Sequence, residues 1–194
     1  MKNIEANKYF KNLFDLLQNT QVTDNHGKTL PMAKAVDWAV DKMQNFRKQR
    51  GKVILVGNGG SAAIVAHMHN DLCKSAGVRA MVFHETSLLT ALSNDISYQE
   101  AYEWSICQWA EPGDLLIAVS SSGGSENIIR AVKAAKAKKC DVITLSGFKE
   151  NNPLRGLGNI NFYIPNEDYG FVEVAHMAIG HYLTDASTSE DRGA

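Results

Sequence analysis

Three short runs of uninterrupted apolar residues each stop at a glycine or a serine, and they limit the chain to few folds. Val53-Ile54-Leu55-Val56 stops at Gly57, Leu115-Leu116-Ile117-Ala118-Val119 at Ser120, and Val142-Ile143-Thr144-Leu145 at Ser146-Gly147. A strand with no polar alternation is buried on both faces, as in a parallel sheet covered by helices. Val78-Arg79-Ala80-Met81-Val82 and Asn161-Phe162-Tyr163-Ile164 complete a set of five. Helical segments are expected at about 62–75, 86–108 (broken), 125–138 and 170–185. Two more helices precede the first strand. One covers residues 4–18, with Ile4, Tyr9, Phe10, Leu13, Phe14, Leu16 and Leu17 on its apolar face. The other covers 31–50, opened by Pro31 and closed by Arg47-Lys48-Gln49-Arg50-Gly51. The expectation is a single α/β domain over 1–194: a doubly wound five-stranded parallel sheet with a two-helix N-terminal extension, 1–50.

Bulk properties exclude several classes. The 194 residues carry a formal net charge of -1, which gives no electrostatic reason to bind nucleic acid. No apolar run approaches the ~20 residues of a membrane span. Met1-Lys2-Asn3-Ile4-Glu5 lacks the apolar core of a leader. Cys73, Cys107 and Cys140 are odd in number and show no CxxC spacing, so they read as packed thiols in a reducing compartment. A cytoplasmic location is expected.

In doubly wound sheets, ligands bind beyond the carboxyl ends of the strands. Two strand ends here are unusual. Gly57-Asn58-Gly59-Gly60-Ser61 follows one strand and opens a helix, and Ser120-Ser121-Ser122-Gly123-Gly124-Ser125 does the same after another. Glycines let the backbone approach a ligand closely, amides at a helix start favour an anion, and serine hydroxyls donate without adding charge. The lysine of a Walker loop is missing, and Gly57, Gly59 and Gly60 do not fit GxGxxG. Either loop alone could be a tight turn with a serine cap. Two together point to a phosphate cradle.

With both loops, the pair Asn94-Asp95 and the last helix with His176 and His181, the chain resembles the SIS (sugar isomerase) domain family. Within that family it is most similar to the phosphoheptose isomerases, which interconvert sedoheptulose 7-phosphate and a heptose 7-phosphate. The resemblance implies a flavodoxin-like sheet, a homotetramer with sites at subunit interfaces, and a phosphorylated sugar as ligand. It implies substrate contacts at Asn58, Gly59, Gly60, Ser61, Asn94, Asp95, Ser120, Ser121, Ser122, Ser125 and Glu173. It also implies one zinc per site, held by His67, Asp71, Glu173 and His181. Asp71 stands where the family has Glu, and Glu173 where it has Gln. A shift of ~1 Å in a catalytic group can cost ~100-fold in rate. Tyr169-Gly170-Phe171-Val172 also makes the stretch before Glu173 more apolar.

Aldose–ketose isomerisation needs a base, an acid serving the sugar oxygens, and stabilisation of an enediolate. His67 and Asp71 are i and i+4 and share a helix face. Asp71 is assigned as general base and His181 as general acid, with a metal polarising the sugar oxygens. Glu173 and His181 are ~12 Å apart along an unbroken helix, too far for one ion. Either the helix begins after Glu173, or the two come from different subunits, or Glu173 contacts substrate. Among the other histidines, His69 lies on another helix face, His176 could pair with Glu173, His84 could reach the ligand, and His26 sits at the surface. Trp104 and Trp109 read as core or interface. Two rival functions remain: a non-catalytic SIS protein that senses a sugar phosphate or binds the replication initiator, and an isomerase of another phosphosugar.

Overall fold

The computed structural model describes residues 5–188, so Ile4 and the rest of the first four residues lie outside it. Seven helices and six strands follow in the order α1 (Ala6–Gln18), β1 (Gln21–Asp24), α2 (Met32–Asn45), β2 (Val53–Gly57), α3 (Gly59–Lys74), β3 (Ala80–Val82), α4 (Thr86–Asp95), α5 (Ala101–Trp109), β4 (Leu115–Ser120), α6 (Glu126–Ala137), β5 (Asp141–Ser146), β6 (Ile160–Tyr163) and α7 (Tyr169–Ala186). A short 3-10 turn, Pro153–Gly156, lies between β5 and β6. No helix among the described residues is long and apolar enough to cross a membrane.

The sheet has six strands, not five, in the order β1-β6-β5-β4-β2-β3. The extra strand is β1, which runs antiparallel to β6 with Val22 opposite Phe162. The N-terminal segment is therefore not a pair of helices alone. The strand between them ties it into the sheet.

Apolar runs bury both faces, as their lack of alternation requires. Val53 and Leu55, Leu115 and Ile117, and Ile143 and Leu145 face one core with α2, α3 and α7. Ile54 and Val56, Leu116 and Ala118, and Val142 face the other with α5 and α6. Burying a large aliphatic side chain contributes about 1.5–3 kcal/mol, so β2 and β4, buried at every residue, contribute much of the stability. Their carboxyl ends lie side by side, Gly57 opposite Val119. Strand order reverses there, since β3 lies on one side of β2 and β4 on the other. That reversal opens a crevice between the two following helices.

Some expectations need correction. Helix α2 stops at Asn45, and Arg47 turns back to donate to the Ala76 carbonyl. Cys73 and Cys107 are exposed and only Cys140 is buried, where burial pushes its thiol up to about 11. Trp104 and Trp109 are exposed, which removes the core alternative of the core-or-interface reading, and Tyr102 and Ile106 take the core positions of α5.

Candidate active site

Two groups of residues stand out, the first at the carboxyl ends of the strands and the second farther along α3 and α7. The first is a cavity of about 320 Å³ lined by Asn58, Gly59, Gly60, Ser61, Val119, Ser120, Ser121, Ser122, Ser125, Tyr169 and Glu173. Both Gly/Ser loops meet here, so the cradle read from the sequence is one space. None of these lining residues is Lys or Arg. An anion would be held by neutral donors and the start of α6.

The serine loop is braced from behind. Gly123 N donates to Ser120 O at 3.0 Å, Gly147 N to Ser121 O at 3.0 Å, and Leu154 N to Gly123 O at 3.0 Å. Gly123 has φ +62°, and a Cβ there would fall 1.9 Å from Asn152 Oδ1, so only glycine fits. Asn152 in turn donates to Gly147 O at 3.1 Å and Lys149 O at 2.9 Å. Inside the loop, Ser120 Oγ donates to Ser125 Oγ at 3.2 Å, and Gly124 N to Ser122 Oγ at 3.2 Å. The Ser121 hydroxyl is buried with no hydrogen-bond partner. Such an orphan costs free energy unless a ligand satisfies it.

Glu173, on the first turns of α7, presses its carboxylate against Gly60, with both oxygens 2.4 Å from where a methyl group would stand. It therefore belongs to the cavity. Helix α7 begins at Tyr169, before Glu173, and runs unbroken to Ala186. The option that the helix starts after Glu173 is removed.

The second group is His67, Asp71 and His181, whose ligand atoms all lie within 4.8 Å of one another. Asp71 Oδ2 is 3.3 Å from His67 Nε2 and 3.5 Å from His181 Nδ1. Helices α3 and α7 come close enough for this because Gly180 faces Met68, where a Cβ would meet the sulfur at 2.8 Å. Donors about 2.1 Å from a tetrahedral metal stand about 3.4 Å apart, so two of the three edges already match. Two imidazoles and a carboxylate can thus hold a divalent metal and leave a fourth position open. Without a metal, the same carboxylate can accept a proton between two imidazoles. Glu173 stands ~12 Å from this cluster along α7, and Ser61 ~15 Å from Asp71 along α3.

Other predicted residues lie elsewhere. Asn94 and Asp95 are exposed, bonded to each other at 2.8 Å, and do not line the cavity. His176 is buried and bonds the Ser146 carbonyl at 3.2 Å instead of pairing with Glu173. Burial pushes it down to about 4. His84 is half-buried beside Tyr102, and desolvation lowers it, with His69 adding to the shift. His26 is exposed in the turn after β1. Tyr169, read from the sequence only as part of the apolar stretch before Glu173, lines the cavity, and sequence reading missed Asn127 and Tyr98. The last two bond Asn58, and only the fold brings them there. A larger hollow of about 780 Å³ opens near the amino ends of β2 and β3, between Arg50, Lys52, Arg79 and Trp109. It lies at the opposite end of the strands from the serine cradle, and Cys73, two residues beyond Asp71 on α3, is part of its lining.

The SIS domain signature matches residues 8–147. The chain belongs to the SIS domain family. It is 32% identical over 171 residues to a phosphoheptose isomerase of Helicobacter hepaticus, covering 84% of this chain and 86% of that one. It is 33% identical over 163 residues to a phosphoheptose isomerase of Shewanella sediminis, covering 79% and 82%. The fold matches the structure of phosphoheptose isomerase from Neisseria gonorrhoeae with a TM-score of 0.79 at 24% identity, over 93% of this chain and 95% of that one. Membership in the SIS family accounts for the doubly wound sheet.

Proposed function

We propose that the chain is an aldose–ketose isomerase converting sedoheptulose 7-phosphate to D-glycero-D-manno-heptose 7-phosphate. The observation that carries this is the conjunction of an anion cradle without cationic residues and a carboxylate set between two imidazoles. A sensor or binding module needs the first but not the second. The similarity to phosphoheptose isomerases over most of the chain agrees with it.

Ser120, Ser121, Ser122 and Ser125 hold the phosphate, with the amides at the start of α6. Asn58, Gly59, Gly60, Ser61 and Glu173 take the sugar hydroxyls. Asn94 and Asp95 join them only if the last turn of α4 moves inward on binding. At the reacting end, Asp71 takes the proton from C1 of the ketose, while His181 donates a proton to the C2 oxygen, giving the enediol. Asp71 then returns its proton to C2, and the C1 hydroxyl gives its proton to His181, leaving the aldose and restoring both groups. Zinc held by His67, Asp71 and His181 would supply polarisation of the two sugar oxygens. Glu173 lies too far along α7 to share that ion within one chain.

The distance between cradle and cluster supports a homotetramer whose sites are completed across subunits. Phe10 and Phe14 on α1 are 64% and 61% exposed, and Val174 and Tyr182 on α7 are exposed as well. Partner subunits would cover such a surface. The N-terminal 50 residues would then serve assembly within one SIS domain, and the enzyme would work in the cytoplasm. A second reading, an isomerase of another phosphosugar, is favoured by Tyr169 and the Glu173 carboxylate lining the cavity.

Incubation with sedoheptulose 7-phosphate in deuterated water tests both levels, with and without chelator. Wild type should place deuterium at C1 or C2. Asp71→Asn keeps the shape but cannot accept the proton, and should lower the rate about 10²–10⁴-fold. No label in wild type would remove the substrate assignment. Equal label in the variant would remove Asp71 as the base.

A further inference from the structure

Asn58 lines the cavity, and both ends of its carboxamide are engaged. Its Nδ2 donates to Asn127 Oδ1 at 2.9 Å. Its Oδ1 accepts from Asn127 Nδ2 at 2.9 Å and from the Tyr98 hydroxyl at 2.8 Å. An isolated carboxamide can be turned over, exchanging its donor and acceptor ends. Here the orientation is dictated by the backbone. The Ile128 N–H reaches Asn127 Oδ1 at 3.0 Å while also serving the Ser125 carbonyl at 3.1 Å. A backbone N–H only donates, so the Asn127 atom facing it is the oxygen. Asn127 Nδ2 then faces Asn58, which must answer with its own oxygen, and Tyr98 donates to that same oxygen.

The count of hydrogens and lone pairs closes. Asn58 Oδ1 has two lone pairs, and both are taken. Asn58 Nδ2 has two hydrogens, and one is taken. What remains for the cavity is one N–H and no acceptor. A group lying against Asn58 must offer a lone pair, as a sugar hydroxyl or carbonyl oxygen does.

We propose that Tyr98 and Asn127 are positioning residues that hold Asn58 as a donor toward the sugar. This rests on the reading of the cavity as a sugar-phosphate site. Asn127 is buried at the first turn of α6, so the start of that helix sets the polarity. Tyr98 lies between α4 and α5, outside the cavity lining, and closes the chain of bonds from the solvent side. The link joins the phosphate helix, the first glycine loop and the α4–α5 connection in one directional network.

The exposed Tyr98 is the member to change, since Tyr98→Phe removes one hydroxyl and leaves the ring. Kinetics with sedoheptulose 7-phosphate should show KM raised about three- to tenfold, the range of one neutral hydrogen bond, with kcat within about twofold. Competitive inhibition by inorganic phosphate should be unchanged, because phosphate alone occupies the serine loop. An unchanged KM overturns the proposal. So does an equal weakening of phosphate inhibition, which marks a general loosening of the site. If wild type fails to isomerise this sugar, the functional reading falls, and the network is tested separately by proton NMR of the free protein. The Asn58 side-chain amide hydrogens should then exchange faster in Tyr98→Phe, and equal exchange would refute the network.

Discussion

Ser121→Ala should move stability and binding in opposite directions. The Ser121 hydroxyl is buried with no partner in the protein, 5% of the residue being exposed, and it faces the cradle. Removing an unsatisfied buried polar group relieves a desolvation penalty of about 1–3 kcal/mol, less the small packing loss of one oxygen. A net gain of about 1 kcal/mol raises Tm by about 2–4 °C in a chain of this size. With phosphate bound, the same hydroxyl donates to a charged oxygen, a bond worth about 1.5–3 kcal/mol. Its loss weakens phosphate binding by about 10- to 150-fold. At a ligand concentration 100 times its Kd, wild type gains about 2.7 kcal/mol, and the variant forfeits about half to nine-tenths of it. Calorimetric melts with and without sugar phosphate should therefore cross: the free variant melts higher, the liganded variant lower. A variant that melts lower when free and binds phosphate like wild type would refute this reasoning.

Two further expectations concern the scaffold. His176 is buried neutral with its value pushed down to about 4, against about 6.5 when unfolded. Its contribution is fully present above about pH 6.5, falls as pH drops, and is gone below about 4, a loss of about 3 kcal/mol. Urea midpoints at pH 7 and pH 4.5 should show the fall in wild type and a flatter profile in His176→Gln. Asp114 is buried and receives Lys52 Nζ at 2.7 Å, Lys52 N at 3.0 Å and Glu111 N at 2.8 Å. Asp114→Ala leaves a nearly buried ammonium beside the exposed Glu111 and should cost about 3–5 kcal/mol in urea unfolding. Activity per folded molecule should hold, because Asp114 precedes β4 at the end of the sheet away from the serine cradle and belongs to neither group of candidate site residues.

How much of this could be read in the sequence depended on how local the signal was. Val53–Val56 and Leu115–Val119 announce buried strands by having no polar face, and the loops after them announce the cradle. His67 and Asp71 share a helix face by spacing alone. The structure also brings His181 to them, through the close approach of α3 and α7 at Gly180. The missing information is long-range. Gln21-Val22-Thr23-Asp24 holds one large apolar residue, and its strand exists only through pairing with β6. Asn127 and Tyr98 look like ordinary polar residues until the fold sets them against Asn58. Asn94 and Asp95, expected at the substrate from resemblance, are exposed outside the cavity of the free chain.

The edge pairing of β1 also bears on how the protein is made. Gln21 and its partner Tyr163 stand about 140 residues apart, so β1 leaves the ribosome well before the strand that receives it. At 5–20 residues per second the wait is on the order of 10 s. A sticky apolar strand in that position would seek other chains during synthesis. The glutamine, threonine and aspartate that hid β1 from sequence reading give a nascent chain little to catch on before its own last strand arrives.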